Sequence, residues 1–92
     1  MYSLSVMPYV DKKFSKMVGR ENTALEAIEN KVNEIRSNPQ HKYKFLKSPL
    51  QGYNRVHIIG NFVLVFKIVH DKKMVELWEY DTHDNIYRSK RL

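Results

Sequence analysis

The apolar residues of this chain change their repeat near its middle, and that change limits the folds open to it. Ala24, Leu25, Ile28, Val32 and Ile35 recur at helical spacing. Arg55 to Ile59 instead alternates, which puts Arg55 and His57 on one side of a strand and Val56 and Ile58 on the other. A helical stretch must come first and a sheet must follow.

The remaining elements fit around this switch. Tyr2 to Met7 reads as a short strand ended by Pro8. Asp11 to Val18 reads as a short helix, with Phe14, Met17 and Val18 on an apolar side, Lys12, Lys13 and Lys16 on a solvated side, and Gly19 as its stop. Thr23 and Glu26 have the spacing of a capping box for the second helix, which Pro39 ends. The short joint between the helices predicts an antiparallel pair. After a linker from Asn38 to Tyr53, Gly60-Asn61 predicts a two-residue hairpin turn. Phe62 to Val69 is apolar enough for a central strand covered on both sides, with Phe66 in the core. His70 to Lys72 turns the chain into a further strand, Met74 to Tyr80, whose Trp78 is also expected in the core. One helical turn is expected in the tail. The fold class is therefore α+β, in the order β-α-α-β-β-β: a first strand, a two-helix hairpin, then a three-stranded antiparallel meander. The sheet is expected to be antiparallel, with the helices on one face and a basic, histidine-bearing face opposite.

With 92 residues, a single domain spanning 1–92 is expected, with room for a modest core. There is no cysteine, so a disulfide framework, a thiol nucleophile and cysteine-ligated zinc are excluded; a reducing, cytoplasmic setting fits. No apolar run approaches the roughly 18 residues of a membrane span, and MYSLSVMPYV does not read as a signal peptide. No membrane association is expected.

Charge is unevenly placed. The net charge is +6, and the stretch from Ile35 to Val69 contains no acid but holds Arg36, Lys42, Lys44, Lys47, Arg55 and Lys67. Tyr43, Phe45 and Tyr53 are interleaved with these cations, and His41 and His57 lie among them. A cationic surface with aromatic rings suits a polyanion, above all the phosphates and unpaired bases of nucleic acid. A solvated basic loop beside a buried strand fits the composition equally.

No Gly-rich phosphate loop, spaced metal motif or nucleophile elbow is present, and no cofactor or metal is expected. The histidines and cations remain. His57 shares a side with Arg55; His83 precedes Tyr87 by four residues, so one helical turn puts those two together. Two imidazoles near cations can cut RNA without metal. One takes the 2′-hydroxyl proton, the other supplies a proton to the leaving 5′-oxygen, and the cations stabilise the phosphorane. The other reading is a hydrogen-bonded strand histidine at 57 and a turn residue at 83. His41 and His70 read as surface residues.

The run SPLQGYNRVHIIGNFVLVFKI, followed by THDNIY, resembles the RelE/ParE toxin superfamily, in particular its YafQ-type and archaeal RelE messenger-RNA interferases. The shared pattern is a PLxG turn, R-x-H, a hairpin, a hydrophobic strand ending in aromatic-Lys, and a terminal T-H-x-x-x-aromatic. It covers the last half of the chain. The resemblance implies the toxin of a type II toxin–antitoxin pair: a ribosome-dependent endoribonuclease that cleaves messenger RNA and is held in a hetero-oligomer by a cognate antitoxin. Carried over by position, it makes His57, His83 and Tyr87 the catalytic residues. Three positions depart from the family. Ser48 stands where YafQ-type chains have a histidine, Asn61 where they have an aspartate, and Val63 where RelE has an arginine. Lys44, Lys47, Arg55 and Arg88 are the expected phosphate ligands. Two other functions stay open: a ParE-like inhibitor of DNA gyrase, and an RNA-binding module without activity.

Overall fold

Why the first helix starts where it does follows from one proline. In the computed structural model, which describes residues 1–92, β1 is Ser3–Val6 and α1 is Pro8–Met17. Proline fits the first helical turn, because its fixed φ suits the helix and its missing N–H would have had no partner there. Pro8 therefore opens α1 three residues before the expected start at Asp11. The shift changes the apolar side: Val10 and Met17 are buried, whereas Val18 lies outside the helix and is 69% exposed.

The second helix, α2, spans Asn22–Ser37 and buries Ala24, Ile28, Val32 and Ile35. The expected capping box does not form. The helix begins before Thr23, with Glu21 at the cap and no side-chain cap bond. Asn22 Oδ1 instead accepts the N–H of Gly19, which holds the left-handed φ of +81° in the joint.

The meander follows as β2 (Asn54–Ile59), β3 (Phe62–Val69) and β4 (Met74–Thr82), with a 3-10 turn at His70–Lys72 and a last short helix, α3 (His83–Ile86). The sheet order is β1-β4-β3-β2. The meander is antiparallel, but β1 pairs parallel to β4, Ser3 opposite Met74 and Val6 opposite Leu77. The sheet is thus mixed rather than antiparallel throughout. Its parity explains this: the helices carry the chain across to β2, which runs with β1, and two antiparallel steps bring β4 back in the same direction.

Both helices cover one face. Their buried residues pack with Leu64, Phe66, Val75, Leu77 and Tyr80, and Val56 and Ile58 border the cluster. The other face is not the open basic surface expected. The linker and the tail fold over its centre, where Leu46, Val63, Val65 and Ile86 form a second core edged by Leu50, Tyr53, Trp78 and Tyr87. Lys44 to Leu46 runs along the outer edge of β2: the Arg55 N–H donates to the Lys44 carbonyl (2.9 Å), and the Leu46 N–H to that of Tyr53 (2.9 Å). A bulge in β4 serves this second face. Phe66 pairs with Leu77 and Val65 with Glu79, so Trp78 and Glu79 both lie between helix-facing Leu77 and Tyr80. Trp78 is only half-buried, because it edges this smaller core rather than the main one.

Beyond Val6, β1 no longer covers the outer edge of β4, and α1 takes its place. Lys13 Nζ donates to the Tyr80 carbonyl at 3.0 Å and to Glu79 Oε1 at 2.7 Å. Lys13 was expected in solvent; it instead neutralises a carboxylate that is only 2% exposed. Lys12 and Lys16 are exposed. No helix is long and apolar enough to cross a membrane.

Candidate active site

The strand register sets which side His57 and Arg55 take. His57 is opposite Val63 and Arg55 opposite Val65, and both valines belong to the second core. Residues directly opposite on antiparallel strands share a face. The register therefore assigns Arg55 to the face away from the helices, where the tail folds. His57, beside the bulge at the edge of the sheet, also borders a cleft of about 200 Å³ with Ala27, Asn30, Lys31 and Glu34 of α2. His57 is exposed, and its Nε2 hydrogen-bonds the Gly60 carbonyl in the β2–β3 turn. The register shifts between His57 and Ile59, which brings His57 close to that turn.

His83 opens α3. Thr82 caps the helix, its Oγ1 accepting the Asn85 N–H at 3.3 Å. The His83 N–H donates to the Asn61 carbonyl at 2.9 Å. The His83 and Tyr87 rings meet edge to face, centroids 5.5 Å apart, as their spacing on one turn of helix requires. Tyr87 Oη in turn accepts the Lys47 N–H at 2.8 Å. Tyr87 is thus held between the imidazole and the linker, with its own O–H left to donate. His57 and His83 are bonded to successive carbonyls of one turn and so lie at the same end of the sheet.

The expected phosphate ligands are spread around this arrangement. Lys44 and Lys47 are exposed on the linker, and Arg55 is half-buried on β2. Arg88 is exposed and lies apart from them, beside Lys13, Glu79, Asp81, Lys90 and Arg91 in a polar cleft of about 580 Å³. None of the four is in an ion pair; those formed involve Lys13, Lys31 and His83. Ser48 and Asn61 are exposed, and Val63 is 3% exposed in the second core.

Two groups were missed. The first is the Lys13 network. Glu79 Oε2 accepts from Ser89 Oγ at 3.3 Å, and Lys13 also reaches Asp81 Oδ2 at 3.4 Å, which ties the tail to the sheet and α1. Burial pushes the Asp81 carboxyl up, but hydrogen bonds from the Thr82 N–H and Asn85 and the charge of Lys13 outweigh it and hold it below its ordinary 3.8. The signal in the sequence was one acid, Glu79, inside the otherwise apolar or aromatic run from Leu77 to Tyr80. The second group lies at the far end of the sheet. A cleft of about 690 Å³ opens where β2 stops short of the end of β3, lined among others by His41, Lys42, Tyr43, Phe45, Lys67 and His70. Lys67 Nζ lies 4.4 Å from the Tyr53 ring centroid and 5.3 Å from that of Trp78. Burial and then the charge of Glu34 raise the Tyr43 phenol above its ordinary 10.0. No group of three or more His, Cys, Asp or Glu side chains is placed to hold a metal ion.

No protein-family model matches the chain. A protein of Methanocaldococcus jannaschii named "Putative toxin RelE4" is 45% identical over 92 residues, covering 100% of this chain and 97% of that protein. An uncharacterized protein of Methanosarcina mazei is 45% identical over 87 residues, 95% of this chain and 100% of its own length. Among solved structures, the YoeB/ParE toxin from Agrobacterium tumefaciens has a TM-score of 0.75 at 14% identity, covering 88% of this chain and 98% of that one. A chain of the YoeB-YefM complex from Staphylococcus aureus scores 0.74 at 16% identity, covering 90% and 98%. The isolated E. coli RelE toxin scores 0.71 at 15% identity, covering 96% and 98%. These structures share the fold: a first strand, two helices on one face, and a three-stranded meander. At 45% identity over its whole length to a RelE protein, this chain belongs to the RelE family of toxins.

Proposed function

We propose that this chain is a ribosome-dependent messenger-RNA endoribonuclease with a YafQ-like site, the toxin half of a type II toxin–antitoxin pair acting in the cytoplasm. The observation that carries the reading is the joint placement of His57, His83 and Tyr87. Both histidines are tied to the β2–β3 turn, and the His83 ring packs on Tyr87. In the reaction, one imidazole takes the proton of the 2′-hydroxyl as its oxygen attacks phosphorus. The bond from phosphorus to the 5′-oxygen breaks, and the other imidazole gives that oxygen a proton. The products are a 2′,3′-cyclic phosphate and a 5′-hydroxyl. Tyr87 donates its free O–H to a phosphate oxygen. Lys44, Lys47, Arg55 and Arg88 hold messenger-RNA or ribosomal phosphates.

The partner is a cognate antitoxin. A net charge of +6 draws an acidic segment that is disordered alone and folds on binding. The structural likeness to a toxin solved in a YoeB-YefM complex supports a hetero-oligomer of this kind.

The test is cleavage in a translation extract, with messenger-RNA ends mapped by primer extension. His83→Ala, with folding checked by thermal melting, should slow cutting by on the order of 10²–10⁴. A folded variant that cuts at the wild-type rate removes His83 from the mechanism. A wild-type chain that leaves messenger RNA intact but blocks DNA gyrase replaces the nuclease with the ParE-like reading.

A further inference from the structure

The β2–β3 turn touches both candidate histidines through its main chain. Gly60 offers its carbonyl to His57 Nε2, and Asn61 offers its carbonyl to the His83 N–H. A carbonyl oxygen only accepts, so the His57 nitrogen facing it carries the proton. Neutral imidazole protonated at Nε2 has its lone pair on Nδ1. The turn therefore selects which nitrogen of His57 acts as a base. Gly60 adopts φ +58°, and a Cβ built there would meet nothing within 4 Å. The requirement is for a left-handed backbone, which glycine adopts at no steric cost, and not for space.

We propose that Gly60 and Asn61 are positioning residues of the active site: the Gly60 carbonyl holds His57 as the Nε2–H tautomer so that Nδ1 receives the 2′-hydroxyl proton, and the Asn61 carbonyl sets His83, and through it Tyr87, at the same end of the sheet. The inference rests on the nuclease reading. It gives Asn61 a role through its backbone, which any residue type supplies. The loss of the family's aspartate at this position is then compatible with a working site.

The experiment uses the full-length protein in two measurements. The first is the ¹⁵N chemical shift of both His57 ring nitrogens, assigned by comparison with His57→Gln. The second is single-turnover cleavage of messenger RNA on programmed ribosomes as a function of pH. The wild type should show neutral His57 protonated at Nε2. Gly60→Val, whose β-branched side chain opposes a left-handed φ, should mix the tautomers. It should slow cleavage by about 10- to 100-fold, the scale of a small misplacement of a reacting group, and move the acid limb of the pH profile. Gly60→Asn, which tolerates that φ, should restore tautomer, rate and profile. Should Gly60→Val fail to fold, Gly60→Ala and the wild-type spectrum carry the same test. The proposal is overturned if wild-type His57 is protonated at Nδ1, or if folded Gly60→Val or Gly60→Ala keeps both the tautomer and the rate. A His57→Gln variant that cuts at the wild-type rate marks a different failure. It removes the role of His57 in cleavage even where the tautomer is as expected.

Discussion

Leu64 and Val65 are neighbours on β3, both wholly buried, yet they enter cores of different construction. Leu64 is one of eleven buried residues supplied by two regular helices and the inner strands. Val65 is one of only four, closed over by a linker and a tail with little regular structure. The helix face is apolar throughout its centre. The other face carries Glu79, Asp81, Lys67 and Arg55 around its small core, with His83 on the tail that covers it and His57 at its β2 edge. One side of the sheet therefore buries the larger core. The other is covered by the segments that form the site, and its smaller core leaves room around it for polar side chains. If the division is real, core substitutions on the two sides should differ in what they cost.

The sharpest test sets Phe66→Ala against Ile86→Ala. Both residues are fully buried. Phe66→Ala opens a cavity among well-packed neighbours and should cost about 3–5 kcal/mol in urea unfolding. Ile86→Ala empties a site in α3, a four-residue helix whose surroundings can collapse, and should fall near the lower end of the range for such changes, about 2 kcal/mol. Cleavage should respond in the opposite order among the molecules that remain folded, because Ile86 supports Tyr87. Equal stability costs would erase the distinction.

Next in size is Lys13, which links the two faces. Lys13→Ala leaves Glu79 without its cation at 2% exposure. Breaking a fully buried pair typically costs about 3–5 kcal/mol. Lys13 is one-third exposed and water can enter, so about 1–3 kcal/mol is expected. Lys13→Met combined with Glu79→Leu should recover most of that loss. If the double variant is no more stable than Lys13→Ala, the defect lies in the contacts between α1 and β4 and not in an orphaned carboxylate.

The linker cations should behave oppositely. Lys44→Gln and Lys47→Gln remove exposed, unpaired charges and should change stability by less than about 0.5 kcal/mol. Each should nonetheless flatten the salt dependence of RNA binding by roughly 0.7–0.9 in slope. An unchanged slope would leave them as solvated surface.

How much of this could be read from the chain divides along the same line. Ile28, Val32 and Ile35 announce α2 by spacing, and the alternation of Val56 and Ile58 with Arg55 and His57 assigns each to a side. Periodicity reports a buried side wherever regular elements bury one. It does not report which strand pairs with which, so the parallel pairing of β1 was invisible. It also misplaced Lys13, whose helical position points to solvent until α1 lies along the uncovered edge of β4. Leu46 and Leu50 were lost in a basic linker because an irregular cover has no repeat to detect. For the site, the T-H-x-x-x-aromatic spacing is enough to join His83 to Tyr87. The bonds that tie both histidines to the β2–β3 turn are main-chain contacts, and these leave no mark on the identity of the accepting residues.

The last expected effect is one of pH, at Asp81. Its carboxyl is held below its ordinary 3.8, because the Thr82 N–H, Asn85 and Lys13 outweigh the effect of burial. A carboxylate whose folded pKa is depressed contributes stability above its unfolded pKa, and that contribution is lost as pH falls through the folded value. Between neutrality and about pH 5 the contribution should be whole, and it should decline below about pH 4. Asp81→Asn keeps an oxygen for the Thr82 N–H but removes the charge that Lys13 meets. The partners are partly exposed, so the loss at neutral pH should be no more than about 1 kcal/mol. The gap in melting temperature between wild type and variant should narrow as pH is lowered from 5 to 2.5. A gap of constant width would mean that Asp81 contributes through hydrogen bonds that asparagine reproduces poorly and not through its charge. The Lys13 network would then owe its strength to Glu79 alone.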